Sequence, residues 1–255
     1  MNDRAPSRIL LVTGVGLRGE QEDRLVSLAG RFFDPPVPVI VHRYGVLRSG
    51  VVLRAGQRAA TGRLVARLRR IVAECGEPDV FAHSFGAWLV GHALIGDPGL
   101  RVGRVVLTGS VLRPDFDWKV LISRGQVEAV LNHYGRNDQW SRVSQLFIPD
   151  SGPSGYRGFV ASAGVLNQAE PHFAHTTFFR AEKMETAFRQ LWGPFLNLRP
   201  GELRRLVDPA GEETWRPVPW LLRANLLRGL ALFSAVAGAM SVAGLLVLLV
   251  GGLVR

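Results

Sequence analysis

Along roughly its first 195 residues the chain alternates short continuous apolar runs with longer stretches of three- and four-residue apolar spacing. Ile9-Leu10-Leu11-Val12, leading into Thr13-Gly14-Val15-Gly16, has the form of a buried parallel strand feeding a loop. Glu20 to Phe33 carries Leu25, Leu28 and Phe32 at helical spacing until Pro35-Pro36 stops it. Val37 to His42 reads as a second strand, and Ala55 to Cys75 as a long helix with Leu64, Leu68, Ile71 and Val72 on its apolar side. Pro78 to His83 is an apolar strand, and a helix runs on through Val90, His92 and Leu94 to the stop Gly96-Asp97-Pro98-Gly99. Strands follow at Arg104 to Gly109, Val127 to Asn132 and Val165 to Asn167, and a helix at Ala181 to Leu191 ending near Gly193-Pro194. Strands alternating with helices predict a mostly parallel sheet covered by helices on both faces. In such sheets ligands bind beyond the carboxyl ends of the strands. Gly14, Ser84 and the loop after Asn132 all fall at such ends, so three loops converge on one rim.

The last stretch behaves differently. Gly229 to Val254 is 26 residues without a charge, about 39 Å long as a helix and long enough to cross a bilayer. Arg223 and Arg228 precede it, and only Arg255 follows. This asymmetry predicts a single-pass membrane helix with the preceding body on the cytoplasmic side. Ala235, Ala239 and Ala243 give it a small-residue face suited to packing against another helix, a second copy included. The expected organisation is a folded domain over 1–200, a basic linker or interfacial segment over 201–228, and the membrane helix over 229–254. Met1 to Arg8 is polar and followed by too short an apolar run for a signal peptide.

Composition narrows the function classes. The net charge is +10, but Lys119 and Lys183 are the only lysines and the arginines are scattered through the predicted helices. No zinc spacing, RNA-binding signature or basic-helix-plus-heptad pattern accompanies the charge, which weighs against nucleic acid as a partner. Anionic lipid fits a basic surface better. Cys75 is the lone cysteine, so no disulfide framework exists. His172 and His175 lack an acid cluster beyond Glu170, and no H-x-x-x-H or H-E-x-x-H occurs, so no metal or other cofactor is expected.

The chemistry centres on Ala82-His83-Ser84-Phe85-Gly86. A serine on a sharp strand-to-helix turn needs small neighbours two residues away on each side, because the backbones approach closely there. Ala82 and Gly86 meet that demand, with alanine in place of the first glycine of G-x-S-x-G. A serine hydroxyl attacks an ester carbonyl only if a base takes its proton and an acid orients the base. The chain offers Ser84, Asp138 and His175 in that order. On I-L-L-V-T-G-V-G, A-H-S-F-G, L-T-G-S, G-R-N-D-x-W and P-H-F-A-H-T-T-F-F, residues 8–195 resemble an α/β-hydrolase, specifically a compact lipase- or serine-esterase-like member.

The resemblance implies Ser84 as nucleophile, His175 as general base and then acid, and Asp138 as the group orienting the imidazole. It also implies an oxyanion hole from the backbone N–H of Phe85 with one from Val15 or Gly16. Thr13-Gly14 stands where the family often has His-Gly. Trp88, Phe116 and Trp118 are expected to contact an apolar substrate. Rivals remain open at this level. Ser84 and Asp138 could be helix N-caps, Asp115 or Asp117 could supply the acid, and His172 could replace His175. The expected function is a membrane-tethered serine esterase acting on lipidic or other apolar acyl esters. The alternative is a membrane-anchored interaction protein on a degenerate hydrolase fold. A third reading makes the C-terminal segment a lid or an oligomerisation element of a soluble enzyme.

Overall fold

The computed structural model describes residues 7–14, 19–43, 53–160 and 162–198. The linker and the apolar segment 229–254 lie outside the described residues, as do Val15 and Gly16. Among the described residues no helix is long and apolar enough to cross a membrane.

Among the described residues six strands form one sheet in which every pairing is parallel: β1 (Ile9–Val12), β2 (Val39–His42), β3 (Asp79–His83), β4 (Arg104–Thr108), β5 (Ala129–Gly135) and β6 (Val165–Glu170), in the order β2-β1-β3-β4-β5-β6. The continuous apolar runs follow from burial on both faces, which side-chain alternation divides between two cores. Leu10, Val12, Val80, Ala82, Val105, Leu107 and Val130 point to one, under α2 (Arg54–Cys75) and α3 (Phe85–Gly96). Ile9, Leu11, Phe81, Val106, Ala129 and Leu131 point to the other, under α1 (Glu20–Phe32) and the C-terminal helices. In α2 the buried positions Ala60, Leu64, Leu68 and Ile71 recur every three or four residues, as one helical face requires.

Chain order reverses direction between β1 and β3. From β1 the chain steps outward to β2, then returns across β1 to β3 and proceeds the other way. In open parallel sheets ligands bind at such a switch point, and Gly14 and Ser84 stand there, just beyond the carboxyl ends of β1 and β3.

Several elements differ from expectation. Short helices α4 (Trp118–Ser123) and α6 (Ser154–Arg157) occupy stretches assigned no element, whereas α5 (Gln139–Ser144) begins where the N-cap alternative for Asp138 puts a helix. The strand expected to end at Asn132 continues to Gly135, because β6 is itself longer and pairs it through Gly135 opposite Glu170. The last helix does not stop at Gly193-Pro194. After α7 (Ala181–Ala187) the backbone widens into a π turn at Phe188–Trp192 and continues as α8 (Gly193–Asn197). Pro194 follows directly on the widened turn, where the regular ladder of helical hydrogen bonds is already altered. Gly193 is needed there because a Cβ would come within 2.5 Å of the Phe32 ring.

Candidate active site

Ser84 is the residue between β3 and α3. Its φ of 55° and ψ of −124° put a non-glycine residue in left-handed territory, a strained conformation that costs on the order of 1–3 kcal/mol. The surroundings hold it there. The Ser84 N–H donates to the Thr108 carbonyl at 3.0 Å. A Cβ at Gly86 would lie 2.3 Å from the Val12 carbonyl oxygen, and one at Gly14 would lie 2.6 Å from Ser84 Cβ. The turn is therefore as sharp as the small-residue pattern demanded. The N-cap reading of Ser84 fails, since its side chain makes no capping hydrogen bond to α3.

His175 reaches this serine from the loop after β6. Its Nε2 lies 2.9 Å from Ser84 Oγ, and its Nδ1 lies 2.9 Å from Oδ2 and 3.1 Å from Oδ1 of Asp138. A carboxylate only accepts, so Nδ1 carries the proton toward Asp138 and the Nε2 lone pair faces the serine hydroxyl. The Asp138 side chain is fully buried and that of His175 is 15% exposed, so the linkage is nearly closed to solvent. Asp138 also caps α5, accepting from the Ser141 N–H at 2.8 Å. One Asp138 side chain thus makes both the N-cap bond to α5 and the bond to His175 Nδ1.

The rivals lie elsewhere. Asp115 forms a surface ion pair with Arg113, Asp117 caps α4 by accepting from the Val120 N–H, and His172 is exposed. His133, the first residue after the predicted strand, is buried within β5. It accepts from Trp192 Nε1 at Nδ1 (3.0 Å) and therefore donates from Nε2 to Glu170 (3.2 Å). Burial pushes its pKa below the usual histidine value. His83 is likewise held neutral, first by burial and then by the neighbouring His175, and its Nδ1 donates to the Thr108 carbonyl at 3.0 Å.

Of the expected oxyanion donors, Phe85 is the first residue of α3 and adjoins Ser84. The expectation for substrate contacts needs correction. Trp118 is 1% exposed and packs in the core against Phe116 and Phe159. Phe116 is half-buried, with its ring over Gly91 of α3. Trp88 is buried, stacked between Phe85 and His92, and donates to the Asp150 carbonyl. Trp118 fills the core beside α3, where folding already accounts for it.

Three contributors were not anticipated. Gly109, with φ of 51°, lies under the histidines, and a Cβ there would come 3.0 Å from His175 Nδ1 and 2.9 Å from His83 Cε1. Gly135 lets the His175 loop lie against β5, since a Cβ would meet the Phe173 carbonyl at 2.2 Å. Trp140 is 50% exposed with its ring 6.4 Å from that of His175. The glycines following strands were visible signals; Trp140 was visible only as part of the loop.

A serine on a strand-to-helix elbow of a parallel sheet, followed in the chain by an acid and then a histidine, is the arrangement of the α/β-hydrolase fold. No protein-family model matches the chain, and no curated protein is significantly similar to it in sequence. Among solved structures it is similar to a predicted CIB-like hydrolase from Thermoplasma acidophilum (12% identity, 81% of this chain and 90% of that one, TM-score 0.48). It is also similar to a Bacillus licheniformis lipase (13%, 78% and 95%, TM-score 0.48) and a Paleococcus ferrophilus monoacylglycerol lipase (15%, 73% and 94%, TM-score 0.45). These likenesses are distant, and the chemistry is decided by the side chains at the site.

Proposed function

We propose that the chain is a serine hydrolase that cleaves carboxylic esters through an acyl-enzyme. The observation that carries this reading is the hydrogen-bonded series Ser84–His175–Asp138, with both links at 2.9 Å, set on a strained elbow. In this mechanism His175 takes the Ser84 proton as Oγ attacks the ester carbonyl, and the Asp138 carboxylate stabilises the resulting imidazolium. In this reading the Phe85 N–H, at the start of α3, donates to the developing oxyanion. Collapse of the tetrahedral intermediate expels the alkoxide, which takes the proton from His175 Nε2. Water then repeats the sequence on the acyl-Ser84 ester and releases the acid. A degenerate scaffold gives no reason for the three groups to converge around a strained serine, so the hydrolase reading is preferred. Reaction of the protein with a fluorophosphonate probe tests it.

The proposed substrates are apolar acyl esters. Trp140 supports this, because a half-exposed indole beside His175 offers apolar area at the site entrance that folding has not buried. Across p-nitrophenyl esters of increasing acyl length, kcat/KM is expected to rise with chain length. Trp140→Ala should flatten that rise by about tenfold at the longest chain, for roughly 1–2 kcal/mol of lost apolar contact. Equal rates across the series would rule out this substrate class. Membrane tethering rests on the uncharged stretch 229–254. The full chain is expected to sediment with vesicles and the 1–228 truncation to stay in the supernatant; co-sedimentation of both would remove the anchor.

A further inference from the structure

Ser141 lies in the first turn of α5, and the triad chemistry just proposed does not use it. It is fully buried, and its hydroxyl lies 2.6 Å from Asp138 Oδ2, 3.2 Å from the Gly109 carbonyl and 3.5 Å from His175 Nδ1. The hydroxyl has one proton, and the carboxylate oxygen is both the nearest acceptor and the one bearing charge, so the proton goes there. The backbone N–H of the same residue donates to the other carboxylate oxygen at 2.8 Å. One residue thus holds both oxygens of Asp138, one through its main chain and one through its side chain.

The main-chain bond is ordinary helix capping, which any residue at this position would supply. The side-chain bond is not required by the helix. It fixes rotation of the carboxylate about its terminal torsion, which is otherwise a broad, soft well. With both oxygens held, the remaining lone pairs stay aimed at His175 Nδ1, and the imidazole in turn keeps Nε2 aimed at Ser84 Oγ. The serine is itself held firmly. A Cβ at Gly155 would sit 2.5 Å from Ser141 Oγ, so α6 packs its backbone directly against the hydroxyl.

From this geometry we propose that Ser141 is a positioning residue for the triad, acting on His175 through the orientation of Asp138. The inference rests on the serine-hydrolase reading given above. Ser141→Ala keeps the capping N–H and removes only the hydroxyl. Hydrogen bonds to charged groups are worth enough for about a tenfold loss in kcat on p-nitrophenyl butyrate, with KM unchanged.

The discriminating experiment is a double-mutant cycle with Asp138→Asn, with thermal unfolding recorded for each variant. If Ser141 acts through the carboxylate, Ser141→Ala costs about tenfold in wild type and almost nothing once Asp138 is Asn. An equal loss in both backgrounds, or a loss that merely tracks a lowered Tm, overturns the proposal. The downfield proton resonance of His175 Nδ1–H gives a readout independent of turnover. It should shift or broaden in Ser141→Ala relative to wild type. If wild type fails to react with the probe but this resonance still responds, the hydrolase reading fails and the positioning role stands. An unchanged resonance in a reactive enzyme has the opposite meaning.

Discussion

Replacing Ser84 with alanine is expected to abolish fluorophosphonate labelling and to lower ester hydrolysis by about 10⁴- to 10⁶-fold. The size of the effect follows from losing the nucleophile itself, not a contact that assists it. His175→Ala should fall in the same range, because without a base the hydroxyl keeps its proton and is a poor nucleophile. Combining the two should cost little more than either alone, since both disable one step. The fold should survive Ser84→Ala, because the serine Oγ takes no part in capping α3. His172→Ala is the informative companion. That ring is exposed, while His175 bridges Ser84 and Asp138, so labelling should persist when His172 is removed. Well-folded wild-type protein that does not react would overturn the hydrolase reading and favour the interaction-protein alternative.

The largest effect on stability is expected at Gly86. The Cβ of an alanine there would stand 2.3 Å from the Val12 carbonyl oxygen, 3.0 Å from Val12 C and 3.1 Å from the Thr13 carbonyl oxygen. All three are backbone atoms at the end of β1, whose strand partners hold it on both sides. No side chain can swing aside to make room. Either α3 lifts from the sheet or β1 shifts, and each opens packing in the core around Val12, Ala82 and Ala87. The cost is expected to be about 3 kcal/mol or more, above the common range for overpacking because the obstacle is main chain. Urea denaturation measures it. Gly62→Ala is the control, since no atom lies within 4 Å of its Cβ position in mid-α2. There the substitution should stabilise by about 0.5–1 kcal/mol through helix propensity. A loss at Gly86 no larger than ordinary surface variation would mean that the elbow is less tightly seated than described.

Much of the parallel sheet was legible because burial on both faces leaves its mark on consecutive residues. Ile9–Val12 and Val105-Val106-Leu107 are apolar without interruption, and each lies within a central strand. The long helix α2 was legible for the same local reason, its buried stripe recurring at helical spacing. Edge features were less so. Strand β6 is only partly buried and carries Asn167, Gln168 and Glu170, so its full length shows only in its pairing with β5. The short helices α4, α5 and α6 span four to six residues, too few for a period to emerge. The substrate expectation at Trp118 went astray because an aromatic residue in a loop near the site looks alike in sequence whether it faces solvent or core.

Read along the chain, residue type and spacing specify the elements around Ser84, the small residues that let the turn close, and the order in which serine, acid and histidine follow. Each of these is a local demand: a strand's burial, a helix's period, or a backbone approach that excludes a Cβ. Which acid meets which histidine was decided by tertiary structure alone. The Ser84–His175 hydrogen bond joins residues 91 apart and the His175–Asp138 bond residues 37 apart, with Asp115, Asp117 and His172 equally suited by type. Gly109 and Gly135 admit the His175 ring and its loop through contacts with residues far along the chain. Side-chain chemistry is carried by residue type, but hydrogen-bond reach is set by where the sheet brings its loops together.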